Sequence, residues 1–204
     1  FFRKHCKYYK HPSFNTISGT GPNGAIVHYR ATTKSNRKLK KGDLYLVDSG
    51  GQYFYGTTDV TRTIPLGKQS ERVKDIYTRV LKGHISVVNF KMNKNTTGKK
   101  IDVVARKPLK KIGLNYEHGT GHGVGYFLNV HEGLQAISPN NDIKLEEGMI
   151  VSNEPGYYEK NKFGIRIENL IYVKKNNNNK LKFDNLTYAP IDLDIVKFNM
   201  LNKN

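Results

Sequence analysis

Cysteine is almost absent: Cys6 is the only one in 204 residues. A single thiol excludes an intramolecular disulfide framework and a zinc-ribbon site. Long apolar runs are missing as well. No stretch approaches the roughly 18 consecutive apolar residues of a membrane-spanning helix, so no membrane partner is expected. Acidic residues are scarce, 17 Asp and Glu against 34 Lys and Arg, and the formal net charge is +17. Such an excess can mark a nucleic-acid binder. Here the lysines (Lys38, Lys40, Lys41; Lys99, Lys100; Lys174, Lys175) are scattered and expected in loops, and Asn176 to Asn179 accompany them. No basic helix interleaves aromatics at groove-reading spacing. The charge reads as drift toward Lys and Asn, and no specific nucleic-acid partner is expected. The chain opens Phe1-Phe2-Arg3-Lys4, without Met or an apolar leader, and is expected to be a fragment.

What is present suffices for one domain. The apolar fraction is 37%, enough for a sizeable core. Residues 1–12 are basic and irregular and are expected to fray. Ala25 to Tyr29 and Leu44 to Val47 read as strands, and Thr57 to Ile64 as a Thr-rich one. Tyr53-Phe54-Tyr55-Gly56 supplies a reversal, so the latter two strands should form a hairpin. Ser70 to Phe90 is the best helix: Val73, Ile76, Tyr77, Val80, Leu81 and Ile85 keep helical spacing, and Ser70 suits an N-cap. A second helix is predicted over Ile101 to Ile112, striped by Ile101, Val104, Ala105, Leu109 and Ile112, with Pro108 inside it and Gly113 as its stop. His118 to Gly125 is a Gly-rich turn. Met149 to Asn153, Phe163 to Val173 and Leu181 to Leu186 read as strands. Residues 176–204 otherwise read as a polar turn and a weakly patterned tail. Hairpins separated by two helices make the expected fold class α+β, not a parallel βαβ series.

Five residues carry the chemistry: Asp48, Asp59, His122, Glu154 and Glu168. Asp48 closes the apolar run Leu44-Tyr45-Leu46-Val47. Glu154 follows Met149-Ile150-Val151 closely, and Glu168 sits in Ile165-Arg166-Ile167-Glu168. Charged groups at the ends of buried strands are costly unless paired or bound to metal. Asp48 and Asp59 are eleven apart, which puts both on one face of an even-looped hairpin. Arg166 and Glu168 likewise share a face. Four carboxylates carry −4, which two divalent cations would neutralise. Oxygen-rich ligands with one imidazole suit Mn²⁺ or Co²⁺ better than a thiolate-loving ion.

Seven strings stand in order along the chain. They are Gly21-Pro22-Asn23-Gly24-Ala25-Ile26-Val27-His28-Tyr29, Leu46-Val47-Asp48-Ser49-Gly50, Gly56-Thr57-Thr58-Asp59-Val60-Thr61-Arg62-Thr63, His118-Gly119-Thr120-Gly121-His122-Gly123-Val124-Gly125, Asn129-Val130-His131-Glu132-Gly133, Asn153-Glu154-Pro155-Gly156-Tyr157-Tyr158 and Gly164-Ile165-Arg166-Ile167-Glu168-Asn169. Together they resemble the Xaa-Pro aminopeptidases (aminopeptidase P) of eukaryotic type, in the pita-bread metallopeptidase superfamily. The likeness runs from about Ser13 to Val173.

The resemblance implies a pita-bread fold and hydrolysis of the bond between an N-terminal residue and a following proline. It implies two divalent metal ions, most often Mn²⁺, with Co²⁺ or Zn²⁺ as alternatives, and a hydroxide bridging them. Asp48 would chelate one ion, Asp59 and Glu168 would bridge both, and His122 and Glu154 would hold the second. Glu154 would also shuttle a proton. His28, His118 and His131 match the family's non-ligand histidines, which orient substrate and move protons, and Arg166 matches a brace for the carboxylates. His5, His11 and His84 are given no role, and His84 is expected on a solvated or partner-facing position. Tyr157, with Tyr158 and Phe163, is a candidate wall for the proline ring. Residues 1–204 would be a single, incomplete catalytic domain of a cytoplasmic enzyme, homodimeric at full length. Competing expectations are a prolidase or methionine aminopeptidase of the same fold, and an inactive binding module.

Overall fold

The computed structural model describes residues 2–127 and 130–201. After a 3-10 turn at Phe2–His5 come β1 (Tyr9–Pro12), β2 (Ile17–Thr20), β3 (Leu44–Ser49), β4 (Gly51–Tyr53), β5 (Gly56–Thr57) and β6 (Val60–Pro65). Two helices follow, α1 (Glu71–Val88) and α2 (Gly98–Lys110). Then come β7 (Gly121–His122), β8 (Ala136–Ile137), β9 (Ile150–Asn153), β10 (Gly156–Glu159), β11 (Phe163–Arg166), β12 (Asn169–Lys175) and β13 (Leu181–Asn185). They form small antiparallel sheets, ordered β2-β3-β6, β1-β4-β5 and β13-β12-β9, with the pairs β10-β11 and β7-β8. This is the α+β layout that the pattern of elements predicts.

The first half is built on β3. Its side chains alternate, and Leu44, Leu46 and Asp48 share the buried row. β3 pairs with β6, with Asp48 opposite Thr61. The reversal lies at Tyr53–Gly56 as expected, but two extra strands, β4 and β5, fill the hairpin end. The predicted strand Thr57 to Ile64 is therefore broken at Thr58-Asp59. That break frees the Asp59 backbone from the ladder. The stretch expected to fray instead adds β1 to the edge of β4.

In α1, Ser70 caps the start: its hydroxyl accepts from the Val73 amide at 3.3 Å. Val73, Ile76, Tyr77, Val80 and Leu81 are buried as predicted, but Ile85 is 37% exposed. The buried stripe turns through His84 and Val87 instead. His84 is thus not solvated but buried, its Nδ1 3.0 Å from the Asn153 carbonyl. α2 starts earlier than predicted and ends at Lys110, leaving Ile112 exposed. Gly113, at φ +72°, closes it in a left-handed turn while the Leu114 amide donates back to the Leu109 carbonyl.

Other differences have local causes. Ala25 to Tyr29 is no strand, because Gly21 and Pro22 start a 3-10 turn over Gly21–Ala25. Phe163 to Val173 is two strands broken at Ile167-Glu168, and β10, unforeseen, pairs with the first. Lys99 and Lys100 lie in α2, and Lys174 and Lys175 in β12, not in loops. The tail is anchored where Ile195 and Val196 join Val73, Ile76, Tyr77 and Val80 in the core. Among the described residues no helix is long and apolar enough to cross a membrane.

Threonines tie the halves together. Thr63 Oγ1 donates to the Arg166 carbonyl and accepts from its amide, both at 3.0 Å. The Glu168 amide donates to the Thr61 carbonyl. Two motif glycines allow close backbone approach. A Cβ on Gly164 would lie 1.8 Å from the Gly24 carbonyl oxygen, and one on Gly121 would lie 1.9 Å from that of Ser152. The second contact sets β7, and hence His122, against β9.

Candidate metal centre

Asp48, Asp59, His122, Glu154 and Glu168 line one cavity of about 190 Å³. They arrive from five places at strand ends or breaks, His122 as the last residue of β7. Asp48 is the penultimate residue of β3, Asp59 fills the break before β6, Glu154 follows β9, and Glu168 fills the break between β11 and β12. Ligand atoms of Asp59, His122 and Glu168 lie within 4.8 Å of one another.

The donor pattern tests what this cluster can hold. His122 Nδ1 is 2.9 Å from the Gly123 carbonyl, which can only accept, so that nitrogen carries the proton. Nε2 then presents a lone pair, yet it faces Asp59 Oδ2 at 3.3 Å and Glu154 Oε1 at 3.4 Å. Three acceptors meet with no donor among them. Buried Asp48 Oδ1, Asp59 Oδ1 and Glu168 Oε1 also have no hydrogen-bond partner. Buried acceptors in this state are expensive. A proton on His122 relieves part of the cost, and a cation relieves all of it. The residues fit a metal ion of oxygen preference with one imidazole ligand.

The proton affinities follow. Burial pushes the Asp48 carboxyl up to about 7 even though Arg166 opposes it. Burial, then the Asp59 charge, pushes Glu168 well above the usual carboxylate range. Burial likewise raises Glu154. Burial pulls His122 down, but its bond to Asp59 and the Glu154 charge outweigh that, so it is raised.

Arg166 contacts Asp48 directly and reaches Glu168 through Thr61. It is 1% exposed, and its guanidinium donates to Asp48 Oδ2 at 2.8 Å, to Thr61 Oγ1 at 3.1 Å and to the Tyr158 hydroxyl at 2.7 Å. Thr61 Oγ1 in turn donates to Glu168 Oε2 at 2.6 Å. Ser152 Oγ donates to Glu154 Oε1 and accepts from the His122 amide, each at 2.9 Å.

The accessory residues divide. His28 and His131 line the cavity. The His131 ring packs against that of His122 at a tilt of 46°, centroids 3.9 Å apart. His118 stands behind the wall. Its Nδ1 donates to the Gly119 carbonyl at 2.7 Å, and its Nε2 accepts from the Tyr158 hydroxyl at 2.9 Å. Burial lowers its pKa to about 4, which fits this neutral tautomer. Both ring nitrogens are engaged, so His118 positions Tyr158 and Arg166 and does not face the cavity. Tyr157 is a correction. β10 alternates, so Tyr157 turns into the core against Phe163, 8% exposed, and is absent from the cavity wall. Asn129 of the His131 motif lies outside the described residues.

One network escaped the sequence reading. Asp102 and Arg106 form a buried ion pair on α2 at 2.7 Å. Arg106 also donates to the Tyr116 carbonyl at 2.6 Å and the His118 carbonyl at 2.7 Å, and Thr120 Oγ1 donates to Asp102 at 2.6 Å. The pair holds the loop that delivers His118 and His122. Its signal was a charged i, i+4 pair inside the apolar row of Ile101 and Ala105. Asp102→Ala strands a buried guanidinium, expected to cost about 3–5 kcal/mol. At roughly 2–4 °C per kcal/mol, a thermal melt should fall by at least about 6 °C. A shift within 1 °C of the parent on that roughly calibrated scale would remove the network from the account.

An α+β frame gathers four carboxylates and one imidazole around one cavity, a donor set that suits divalent metal. The chain belongs to metallopeptidase family M24, whose model matches residues 1–175. It is 48% identical over 99% of its length to a probable Xaa-Pro aminopeptidase P of Laccaria bicolor, covering 33% of that protein. It is 47% identical over 99% of its length to Xaa-Pro aminopeptidase 1 of Dictyostelium discoideum, covering 33% of it. The chain thus spans about a third of the length of these relatives. The crystal structure of X-prolyl aminopeptidase from Caenorhabditis elegans, described as a cytosolic enzyme with a di-nuclear active site, superposes with a TM-score of 0.93. That match has 39% identity and covers 98% of this chain and 34% of the other. The fold is the pita-bread fold of these enzymes.

Proposed function

We propose that the full-length protein removes the N-terminal residue from peptides with proline second, using two divalent ions, Mn²⁺ foremost and Co²⁺ or Zn²⁺ as alternatives. Asp48 would hold one ion, Asp59 and Glu168 would serve both, and His122 with Glu154 would hold the other. One observation supports this most. Five residues spread over 121 positions of sequence line a single cavity and leave three buried carboxylate oxygens without a partner. Retention of the whole set opposes the inactive-module alternative. The curated relatives matched over nearly the whole chain are Xaa-Pro aminopeptidases, whereas a prolidase of Pyrococcus furiosus superposes over 89% of it with a TM-score of 0.78 at 31% identity.

Bound divalent ions supply Lewis acidity that polarises a carbonyl and acidifies water. The chain's own groups do the rest. Glu154 Oε1 accepts from Ser152 Oγ, so its carboxylate is fixed at the cavity wall to take a proton from the attacking water. It can return that proton to the proline nitrogen as the bond breaks. His28 and His131 line the same cavity and can donate to a scissile carbonyl oxygen as charge develops there. Burial, then the neighbouring His122, lowers His131, so it works as a neutral donor. Arg166 favours the ionised form of Asp48 and orients it. Because the X-Pro amide has no N–H, a site gripping its carbonyl loses nothing that other peptide bonds would offer. The protein is proposed to be a cytoplasmic homodimer.

The test is release of the first residue from an Xaa-Pro peptide by the full-length protein, with and without Mn²⁺, against a matched Xaa-Ala peptide. Metal-dependent release from the proline peptide alone is expected. Equal release from both peptides, or release unaffected by chelation, would overturn the reading.

A further inference from the structure

The cavity wall has members that the metal site does not use: Phe14, Asn15, Ile17, Arg30 and Val130. Arg30 is the one Lys or Arg among the described lining residues. It is exposed, and among the described residues it makes no hydrogen bond or ion pair. An arginine beside four acids is ordinarily drawn to them, but Asp48, Glu168 and Glu154 are bonded to Arg166, Thr61 and Ser152, and Asp59 lies against His122. Arg30 stands at the rim as an uncommitted cation.

Its position is fixed by its neighbour. Tyr29 is 4% exposed and packs with Ile17 and Leu46. Its hydroxyl donates to the Ser35 carbonyl at 2.8 Å and accepts from Asn23 Nδ2 at 2.9 Å. Thr32 and Ser35 close the loop with reciprocal bonds, amide to hydroxyl, at 3.0 and 3.1 Å. With Tyr29 turned into the core, the residues on either side, His28 and Arg30, both reach the cavity. The loop is therefore a staple that sets an imidazole and a guanidinium side by side on one wall.

Size says what meets Arg30. A cavity of about 190 Å³ holds roughly six waters at about 30 Å³ each, or a residue or two of a peptide. Anything longer leaves through the mouth past the rim. With the four acids neutralised by bound cations, Arg30 leaves that rim positive.

We propose that Arg30 forms an anion subsite at the cavity mouth that recognises a carboxylate on the residue after the proline. That carboxylate is either the free C-terminus of a tripeptide or an acidic side chain of a longer peptide. Arginine suits the task, because its planar fork of donors matches a carboxylate in two parallel bonds. The subsite rests on the proposed peptidase reading. It favours short or acidic peptides over neutral extended ones, by about three- to tenfold for an exposed pair.

Product dipeptides test the subsite without turnover. Binding of Pro-Gly, Pro-Gly amide and Pro-Asp amide to the metal-loaded full-length protein is measured by calorimetry. Pro-Gly should bind about three- to tenfold tighter than its amide, and the difference should shrink with added salt. Arg30→Ala should erase the preference, and Arg30→Lys should keep part of it. Pro-Asp amide distinguishes the sources: tighter binding than Pro-Gly amide shows that a side-chain carboxylate is also read, and equal binding restricts the subsite to the C-terminus. No preference in the parent protein overturns the proposal, as does a preference that survives Arg30→Ala. If Arg30→Ala lowers the melting temperature and leaves the preference unchanged, the residue is structural and the proposal is again overturned. Failure of the peptidase reading looks different: no residue is released ahead of proline, while an Arg30-dependent carboxylate preference still stands.

Discussion

Stripping divalent metal from the full-length protein at pH 7.5 is expected to lower its melting temperature by roughly 8–16 °C. An ion present at a thousandfold its Kd contributes about 4 kcal/mol. A domain of this size shifts by roughly 2–4 °C per kcal/mol. The effect should depend on pH, and its sign comes from the acids. Asp48 is raised to about 7 by burial, and Glu154 and Glu168 are raised for the same reason. A carboxyl whose folded pKa exceeds its unfolded one contributes stability that is complete below the unfolded value. That contribution is lost as pH rises through the folded value. The metal-free protein should therefore lose stability as pH climbs toward and past about 7, the value for Asp48. Three histidines work the other way, since burial lowers His131 as well as His84 and His118. Burial depresses His84 and His118 to about 4, so their contribution grows as pH rises from there to the ordinary imidazole value and is then complete. Between about pH 6.5 and 7.5 the acids still slope, and the raised His122 slopes in the same direction. In the loaded protein the dependence reverses, because protons compete with metal for the same oxygens. A chelator that leaves the melt unmoved would sink the metal centre. So would a metal-free melt that rises with pH across that window.

The site was easier to read from sequence than the fold around it, and the reason is physical. Asp48 and Glu168 announce themselves because a carboxylate in an apolar strand has a cost that only a partner or an ion removes. Register places Asp48 opposite Thr61, and Asp59 reaches the same cavity from the break just before β6. Strand boundaries were less legible. Phe163 to Val173 reads as one run by composition, yet it breaks at Ile167-Glu168, where the Glu168 amide goes to the Thr61 carbonyl instead of a strand partner. Nothing local marks that exchange. Tyr157 and Tyr158 are equivalent by type, and only the pairing of β10 with β11 decides which faces Arg166. His84 was misjudged for the same reason. Its burial depends on the Asn153 carbonyl and side chain, which come from a strand 69 residues away. The Asp102–Arg106 pair was visible in spacing, but its purpose lies in the loop it holds.

Asp59→Asn should separate a metal ligand from a structural residue by the opposite signs of its two effects. In the loaded full-length protein, turnover should fall more than about a hundredfold. Losing an outer-shell partner alone costs about 10–100-fold, and a bridging ligand should exceed that. Metal stoichiometry should drop with it. In the metal-free protein the same change should stabilise the fold. Asp59 sits among Asp48, Glu154 and Glu168, and its charge pushes all three of them up. Removing one of four like charges at such range is worth on the order of 1 kcal/mol or more. The amide also repairs a mismatch: it can donate to His122 Nε2, which in the parent faces only carboxylate oxygens. The paired measurement is metal-free and metal-loaded melting with turnover on an Xaa-Pro peptide. A metal-free protein equal to or more stable than the parent, with turnover lost and less metal bound, is the expected result. Melting lowered to the same extent in both states would make Asp59 an ordinary buried anchor, because a residue that only supports the fold has no cause to stabilise it when removed.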